Sequence, residues 1–454
     1  MTGQMAVPGA LTTDLYEVSM ALAYLREDMT GEAVFSLFVR KLPPHRGFLV
    51  TAGLESALSY LEGLRVGASE AAAFAEALNR PVEDLEPMRG LEFTGEVRAV
   101  PEGRIVLAGE PLLEVTAPLP QAQLVETCLL NQLSHQTAIA SKAARCVLAA
   151  DGRPVVDFSL RRTHGIEAGL RMARLGALVG FAGTSDVAAS AAYGIPAVGT
   201  MAHSFVEAYE DEEAAFRAFA RVHPGPVTFL VDTYDTEEGV RTAARVLRDL
   251  GYGPGCAVRL DSGDLGELAV RARRILDGAG LEEVRITASG GLDEYGVDRL
   301  VRSGAPIDTY AVGTRVGVSA DAPYLDSAYK LVAYDGRPVM KLSAAKVTAP
   351  GAKQVFRGPG LADVVGLREE EAPSGAEPML ETVMTGGRRV AAPAPLAAAR
   401  ERFEADLARL PGEARRVVDP VPPEPVASEA LSNLTAGVRS RIEERVFGGR
   451  RAGG

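Results

Sequence analysis

Residues 227–264 read VTFLVDTYDTEEGVRTAARVLRDLGYGPGCAVRLDSGD. An apolar, β-branched run ends in a polar tip, a helix-like stretch follows, and a second apolar run ends in another polar tip. The same unit recurs through residues 154–316, with apolar runs at 155–160, 177–181, 197–200, 227–231, 257–260, 284–288 and 309–312. Such runs, separated by amphipathic stretches, signal β/α units around a parallel sheet. The fold class expected is α/β, an irregular β/α barrel of about seven parallel strands. In a barrel the loops after the strands meet at one mouth. The tips DFSLRR, GTSD, GTMAHS, DTYD, RLDSGD, SGG and GT would then gather Arg161, Ser185, His203, Asp232, Arg259, Asp261, Gly291 and Gly313 in one place.

Composition narrows the classes of function. A chain of 454 residues suits two or three domains. With 47% apolar residues it can build a core without a metal or disulfide. A net charge of −12 argues against nucleic-acid and anionic-membrane partners, though not against a local basic pocket. Cys128, Cys146 and Cys256 are widely spaced and form no CxxC or Cys/His cluster, so a zinc site and a disulfide framework are not expected. The start of the chain shows no basic segment followed by an apolar one, and no run approaches the roughly 18 apolar residues that span a bilayer. The expectation is a cytoplasmic, reduced protein without membrane contact.

Three segments are expected. Residues 1–125 read as an α+β domain, with a helix opening after Thr13-Asp14 and strands near 33–39, 95–100, 104–107 and 112–116. Residues 126–328 hold the barrel, entered through a helical pattern at 124–150. Residues 329–454 hold strands near 329–334, 337–342 and 355–357, then helices at 395–410 and 428–446 and a disordered tail, GGRRAGG. Asp335-Gly336 marks a hairpin.

Several tips carry chemistry. His203 follows the third run and is suited to act as base, acid or nucleophile, including as a phosphoryl acceptor; it would equally cap the helix that follows. Asp232, at the next tip, is placed to hold one imidazole nitrogen. Arg259 and Asp261 alternate to the same side of their strand. A guanidinium suits a carboxylate, and an aspartate suits ribose hydroxyls. Ser262 opens the following helix, where backbone amides accept phosphate. Gly290, Gly291, Gly313 and Thr314 end the last two runs, where barrels often bind phosphate. Phe158 beside Arg161 would stack on a flat anionic ring. From position alone, Tyr16, Arg40 and Lys41 are part of a helix start and a surface basic patch. These residues describe an enzyme acting on a phosphorylated, ribose-bearing substrate and leave several reaction classes open.

The set LTTDLYEVSM, FSLFVRKLP, ETCLLNQLSHQTAIASKAAR, DFSLRRTHG, GFAGTSDVAA, GTMAHSFVEAY, VDTYDT, RLDSGDL and PGAKQVFR, in this order over residues 10–357, resembles the nicotinate phosphoribosyltransferase family. The resemblance implies a type II phosphoribosyltransferase-like barrel, with an α+β domain built from both chain ends. It implies formation of nicotinate mononucleotide and pyrophosphate from nicotinate and phosphoribosyl pyrophosphate, in NAD biosynthesis and salvage. Mg²⁺ is expected, with no protein ligand assigned, as is coupled ATP hydrolysis through a phosphohistidine at His203 oriented by Asp232, a ligase-type reaction. Arg259 would pair with the nicotinate carboxylate and Phe158 stack on its ring, with Tyr16 from the second subunit of a homodimer on the other face. Asp261 would bind ribose. Arg161, Ser262, Gly290, Gly291, Gly313 and Thr314 would line the phosphate region, with Arg40 and Lys41 reaching it from the partner. Amide-using relatives would carry Asp at Ser185, so the acid is favoured. The alternatives are a nicotinamide phosphoribosyltransferase and a catalytically silent ligand-binding homologue.

Overall fold

The computed structural model describes residues 9–342 and 348–447; the GGRRAGG tail lies outside them. The described residues divide into two compact units, one of residues 139–323 and 417–419, the other of residues 9–138, 324–342, 348–416 and 420–447.

The first unit is built on a parallel sheet. Its strands are β1 (Val155–Asp157), β2 (Gly183–Thr184), β3 (Thr228–Leu230), β4 (Ala257–Leu260), β5 (Arg285–Ala288) and β6 (Thr309–Val312), in the spatial order β2-β1-β6-β5-β4-β3. The sheet therefore has six strands where about seven are expected. The run at 197–200 contributes a single parallel bridge, from Ala197 to Thr184 at the end of β2. It is short, contains Gly199 and leaves Ala197 exposed, so little apolar burial holds it in a ladder. No ladder among the described residues joins it to β3, and the sheet is open there.

A second difference concerns the run at 177–181. It is not a strand but the end of the helix Ile166–Leu178 and the turn after it. Leu175, Leu178 and Val179 continue that helix's buried face, so helical periodicity overrides the β-branched composition. The strand begins two residues later, at Gly183.

Register decides which tips are neighbours. Leu230 pairs with Arg259, and Arg259 with Thr287. Two residues further along each strand, Asp232, Asp261 and Ser289 leave the sheet side by side.

The second unit carries a seven-stranded sheet, with neighbours antiparallel, that draws on both ends of the chain: Glu32–Val39 lies between Ser327–Tyr334 and Pro111–Pro118. Tyr334 pairs with Arg337 across Asp335-Gly336, whose φ values of 49° and 70° suit a two-residue type I′ turn. Leu49–Val50 forms a short strand before the helix Leu54–Gly63. Among the described residues no helix is long and apolar enough to cross a membrane.

Arg357 is fully buried in this unit. It donates to Asp363 at 2.6 Å and to Asp406 at 2.9 Å, and Asp406 also receives Arg104 at 2.8 Å. Burial, and then Asp363 beside it, hold the Glu110 carboxyl well above its usual pKa. Breaking a buried pair leaves an uncompensated charge, at about 3–5 kcal/mol. Arg357→Met is therefore expected to lower unfolding stability by about 3–5 kcal/mol in chemical denaturation; a loss below about 1 kcal/mol would mean the cluster relaxes without it.

Candidate active site

Arg259, at the end of β4, is 7% exposed and bonded along its whole guanidinium. Nε donates to Ser289 Oγ at 2.8 Å and Nη1 to Thr200 Oγ1 at 2.9 Å. Nη2 donates to Asp261 Oδ1 at 2.7 Å. The guanidinium carbon stands 5.4 Å from the centre of the Phe158 ring, cation-π distance. A buried cation is thus walled by an aromatic face and by polar groups from three stretches, the tips of β4 and β5 and the run at 197–200.

Asp261 is the hub of this wall. It also accepts from Ser289 Oγ, and its Oδ2 lies 3.9 Å from His203 Nε2. Burial alone would raise its pKa, but the Ser289 and Arg259 hydrogen bonds and the His203 imidazole hold it below the usual carboxylate value. Asp232 Oδ2 accepts from the Asp261 backbone N–H at 3.1 Å and from Ser262 Oγ at 2.6 Å, tying the β3 tip to the β4 tip. Its other oxygen, Oδ1, is buried without a hydrogen-bond partner.

His203 opens the helix His203–Glu207 and keeps 40% of its side chain exposed. Its Nδ1 meets Thr233 Oγ1 at 3.2 Å, one residue beyond Asp232. Glu212, at the start of the helix Glu212–Val222, also keeps a buried oxygen unpartnered. Burial first, then Asp232 and Asp235, push its pKa from 4.5 to about 7.

The glycine tips close on the same hub. Gly290 has φ +95°, and a Cβ there would lie 1.8 Å from the Asp261 carbonyl oxygen, so only glycine allows this approach. Gly291 follows with φ +70°. A Cβ on Gly313 would lie 2.9 Å from the Phe158 carbonyl oxygen, and Thr314 begins the helix Thr314–Gly317.

At the other end of the sheet, Ser185 is exposed while Asp186 is turned inward, capping Ala189 N at 3.0 Å. Arg161 is exposed in a short turn after β1. The structure thus gathers His203, Asp232, Arg259, Asp261, Ser262, Phe158 and the glycine tips. Tyr16, Arg40 and Lys41 belong to the second unit: Tyr16 is 47% exposed, Arg40 pairs with Asp326 at 2.6 Å and Lys41 is exposed.

Sequence reasoning missed Thr200, Thr233, Ser289 and Asp157 as working members. Asp157, 1% exposed, accepts from Ser159 N at 2.9 Å and Thr184 Oγ1 at 2.8 Å, fixing the turn that carries Phe158. The available signal was position: each lies at or just beyond a strand end.

Two family models match the chain. The nicotinate phosphoribosyltransferase (NAPRTase) N-terminal domain covers residues 11–134, and the nicotinate phosphoribosyltransferase (NAPRTase) family covers residues 154–272. Nicotinate phosphoribosyltransferase pncB2 of Mycobacterium tuberculosis is 48% identical over 440 residues, 96% of this chain and 94% of that protein. Nicotinate phosphoribosyltransferase of Bacillus subtilis is 42% identical over 357 residues, 77% and 73% of the two chains. The crystal structure of human nicotinic acid phosphoribosyltransferase aligns with a TM-score of 0.82 at 30% identity, covering 94% of this chain and 99% of that one.

Glu212 generates a pH prediction. A carboxyl whose folded pKa is raised favours folding fully below its ordinary value of 4.5 and loses that contribution as pH rises through about 7. The melting temperature of Glu212→Gln is expected to fall less between pH 5 and pH 8 than that of the wild type; parallel pH profiles would show that Glu212 does not titrate there.

Proposed function

The chain belongs to the nicotinate phosphoribosyltransferase family, and from that premise we propose that it joins nicotinate to phosphoribosyl pyrophosphate, forming nicotinate mononucleotide and pyrophosphate for NAD biosynthesis. The observation that carries the reading is Arg259, buried and set against Phe158 at 5.4 Å. A cation beside an aromatic face matches a flat ring bearing a carboxylate: the guanidinium meets the anion and the phenyl ring lies along the pyridine.

In this reading Asp261, held ionised by Arg259 and Ser289, accepts the ribose hydroxyls. Ser262, Gly290, Gly291, Gly313 and Thr314 offer backbone and hydroxyl donors to phosphate, and Arg161 adds charge at the rim. The pyridine nitrogen is already a nucleophile, so no general base is required. Positive charge grows on the ribose and negative charge on the departing pyrophosphate, and fixed donors aimed at that anion lower the barrier. The site suits Mg²⁺ in the manner of a hard cation held mostly by substrate phosphates and one or two carboxylates: the unpartnered Asp232 and Glu212 oxygens are the available protein donors. The ion would neutralise charge on the leaving group.

We also propose that ATP hydrolysis is coupled through phosphorylation of His203. Its ring is part exposed, with Nδ1 oriented by Thr233. Asp232, expected to hold the imidazole, instead accepts from the Asp261 N–H and Ser262 Oγ, so the orienting role falls to Thr233. The protein would work in the cytoplasm as a homodimer, Tyr16, Arg40 and Lys41 of each copy completing the other's site. Nicotinamide use is the second reading; it is disfavoured because Asp186, the carboxylate beside Ser185, is committed to a helix cap.

The test is product formation from phosphoribosyl pyrophosphate and Mg²⁺ with nicotinate or nicotinamide, with and without ATP. Nicotinate mononucleotide is expected, faster with ATP, and His203→Ala should lose the ATP stimulation while keeping slow transfer. Nicotinamide turnover alone would overturn the ring assignment, and no product from folded protein would favour a silent homologue. Mixing inactive Tyr16→Ala and Arg259→Ala proteins is expected to restore part of the activity; no recovery after verified subunit exchange would reject shared sites.

A further inference from the structure

The SKAAR stretch of the helix Glu126–Ala149 plays no part in the chemistry above, yet it delivers two buried cations to the back of the phosphate loops. Lys142 Nζ is 2.5 Å from Glu294 Oε2 and 2.7 Å from Asp321. Arg145 Nε is 3.0 Å from Glu294 Oε1, and its Nη2 donates to the Val417 carbonyl at 2.7 Å. The Lys142 and Glu294 side chains are 1% and 0% exposed. Both cations also lie over the Tyr295 ring, at 5.9 and 5.5 Å.

Glu294 is the first residue of the helix Glu294–Arg302, three positions after Gly291. Its neighbour Asp293 caps the same helix through Gly296 N at 2.9 Å and takes Arg315 at 2.8 Å. Arg315 directly follows Thr314. The buried charges therefore reach both glycine tips, and Gly290 in turn rests on the Asp261 carbonyl.

We propose that Lys142 is a positioning residue: by clamping Glu294 it fixes the Gly290-Gly291 tip where that tip meets the phosphates and ribose of phosphoribosyl pyrophosphate. The proposal rests on the transferase reading and adds to it a residue that touches no substrate. A charge group chosen only for stability is readily replaced by apolar residues of the same volume. A group that sets loop position is not, because a displacement of about 1 Å in substrate-binding groups costs about a hundredfold in rate.

The experiment is steady-state kinetics of wild type, Lys142→Met, Lys142→Arg, Glu294→Gln and Asp321→Asn, each with a thermal melt that gives the folded fraction at the assay temperature. Lys142→Met is expected to raise the KM for phosphoribosyl pyrophosphate at least tenfold, with the KM for nicotinate moving less than twofold. Lys142→Arg should recover most of that loss. If Lys142→Met does not fold, Glu294→Gln, which keeps shape and volume, carries the test and should raise the same KM. Asp321→Asn, which leaves the Lys142–Glu294 pair intact, should move it less than twofold. Activity falling only with the folded fraction, both KM values unchanged, would overturn the proposal, as would equal rises in both KM values. A wild type that makes no nicotinate mononucleotide would overturn the transferase reading itself, and this inference with it; an active wild type with insensitive variants would overturn only this inference.

Discussion

A guanidinium taken out of water must find acceptors for a fan of N–H groups, or its charge is ruinous to bury. Arg259 meets that demand with groups from different strand tips: Thr200 and Met201, Asp261, Ser289, and the ring of Phe158. None of these is local in sequence apart from Asp261. The arrangement exists because Arg259 pairs with Leu230 on one side and Thr287 on the other, so that the next outward residues, Asp232, Asp261 and Ser289, stand in a row. A one-residue slip would turn each of these side chains to the other face. The site is thus an expression of parallel register.

The second constraint is charge. The chain is acidic overall, and the candidate site adds Asp232, Asp261 and Glu212 with few cations of its own beyond Arg259. Two of these carboxylates keep a buried oxygen without a partner. Burial first, and then the like charges of Asp232 and Asp235, push Glu212 up to about 7. Such a surplus stores a preference for a cation or a proton, and a transferase that handles polyphosphate meets metal-bound anions as its ordinary substrates. On the proposed reading the anion would be met instead by neutral donors: glycine amides and the hydroxyls of Ser262 and Thr314. Neutral donors bind an anion without the desolvation that additional buried cations would require.

Much of this was readable along the chain. The alternation of apolar run, polar tip and helical stretch identified the parallel sheet, and the tips held Arg259, Asp261, His203 and Asp232. The failures have physical causes. Residues 177–181 look like a strand because Leu, Val and Phe suit either structure in a short run, and only the buried face of the preceding helix decides. Residues 197–200 look like a strand but leave Ala197 exposed and gain one bridge. Thr233 as the partner of His203 was invisible because an imidazole has several acceptors within a residue of one another at a strand end, and side-chain direction chooses among them. Lys142 and Glu294 lie 152 positions apart, and nothing in composition pairs them before the fold does.

On the proposed reading, the choice between acid and amide turns on one residue step. Ser185 and Asp186 are adjacent, yet Ser185 faces outward and Asp186 is 1% exposed, its Oδ1 receiving Ala189 N and its own N–H donating to Thr184 Oγ1. Thr184 is held in turn by Asp157, so the orientation is set by the same tip that carries Phe158. On the proposed reading, exchanging the two positions would set a carboxylate against the carboxylate of nicotinate. At about 4 Å and an effective dielectric near 20 that repulsion is about 4 kcal/mol, close to a thousandfold in affinity. The same carboxylate would accept an amide N–H and favour nicotinamide. On the proposed reading, ring preference therefore depends less on Arg259, which any anionic ring would satisfy, than on a helix cap that keeps Asp186 out of the pocket.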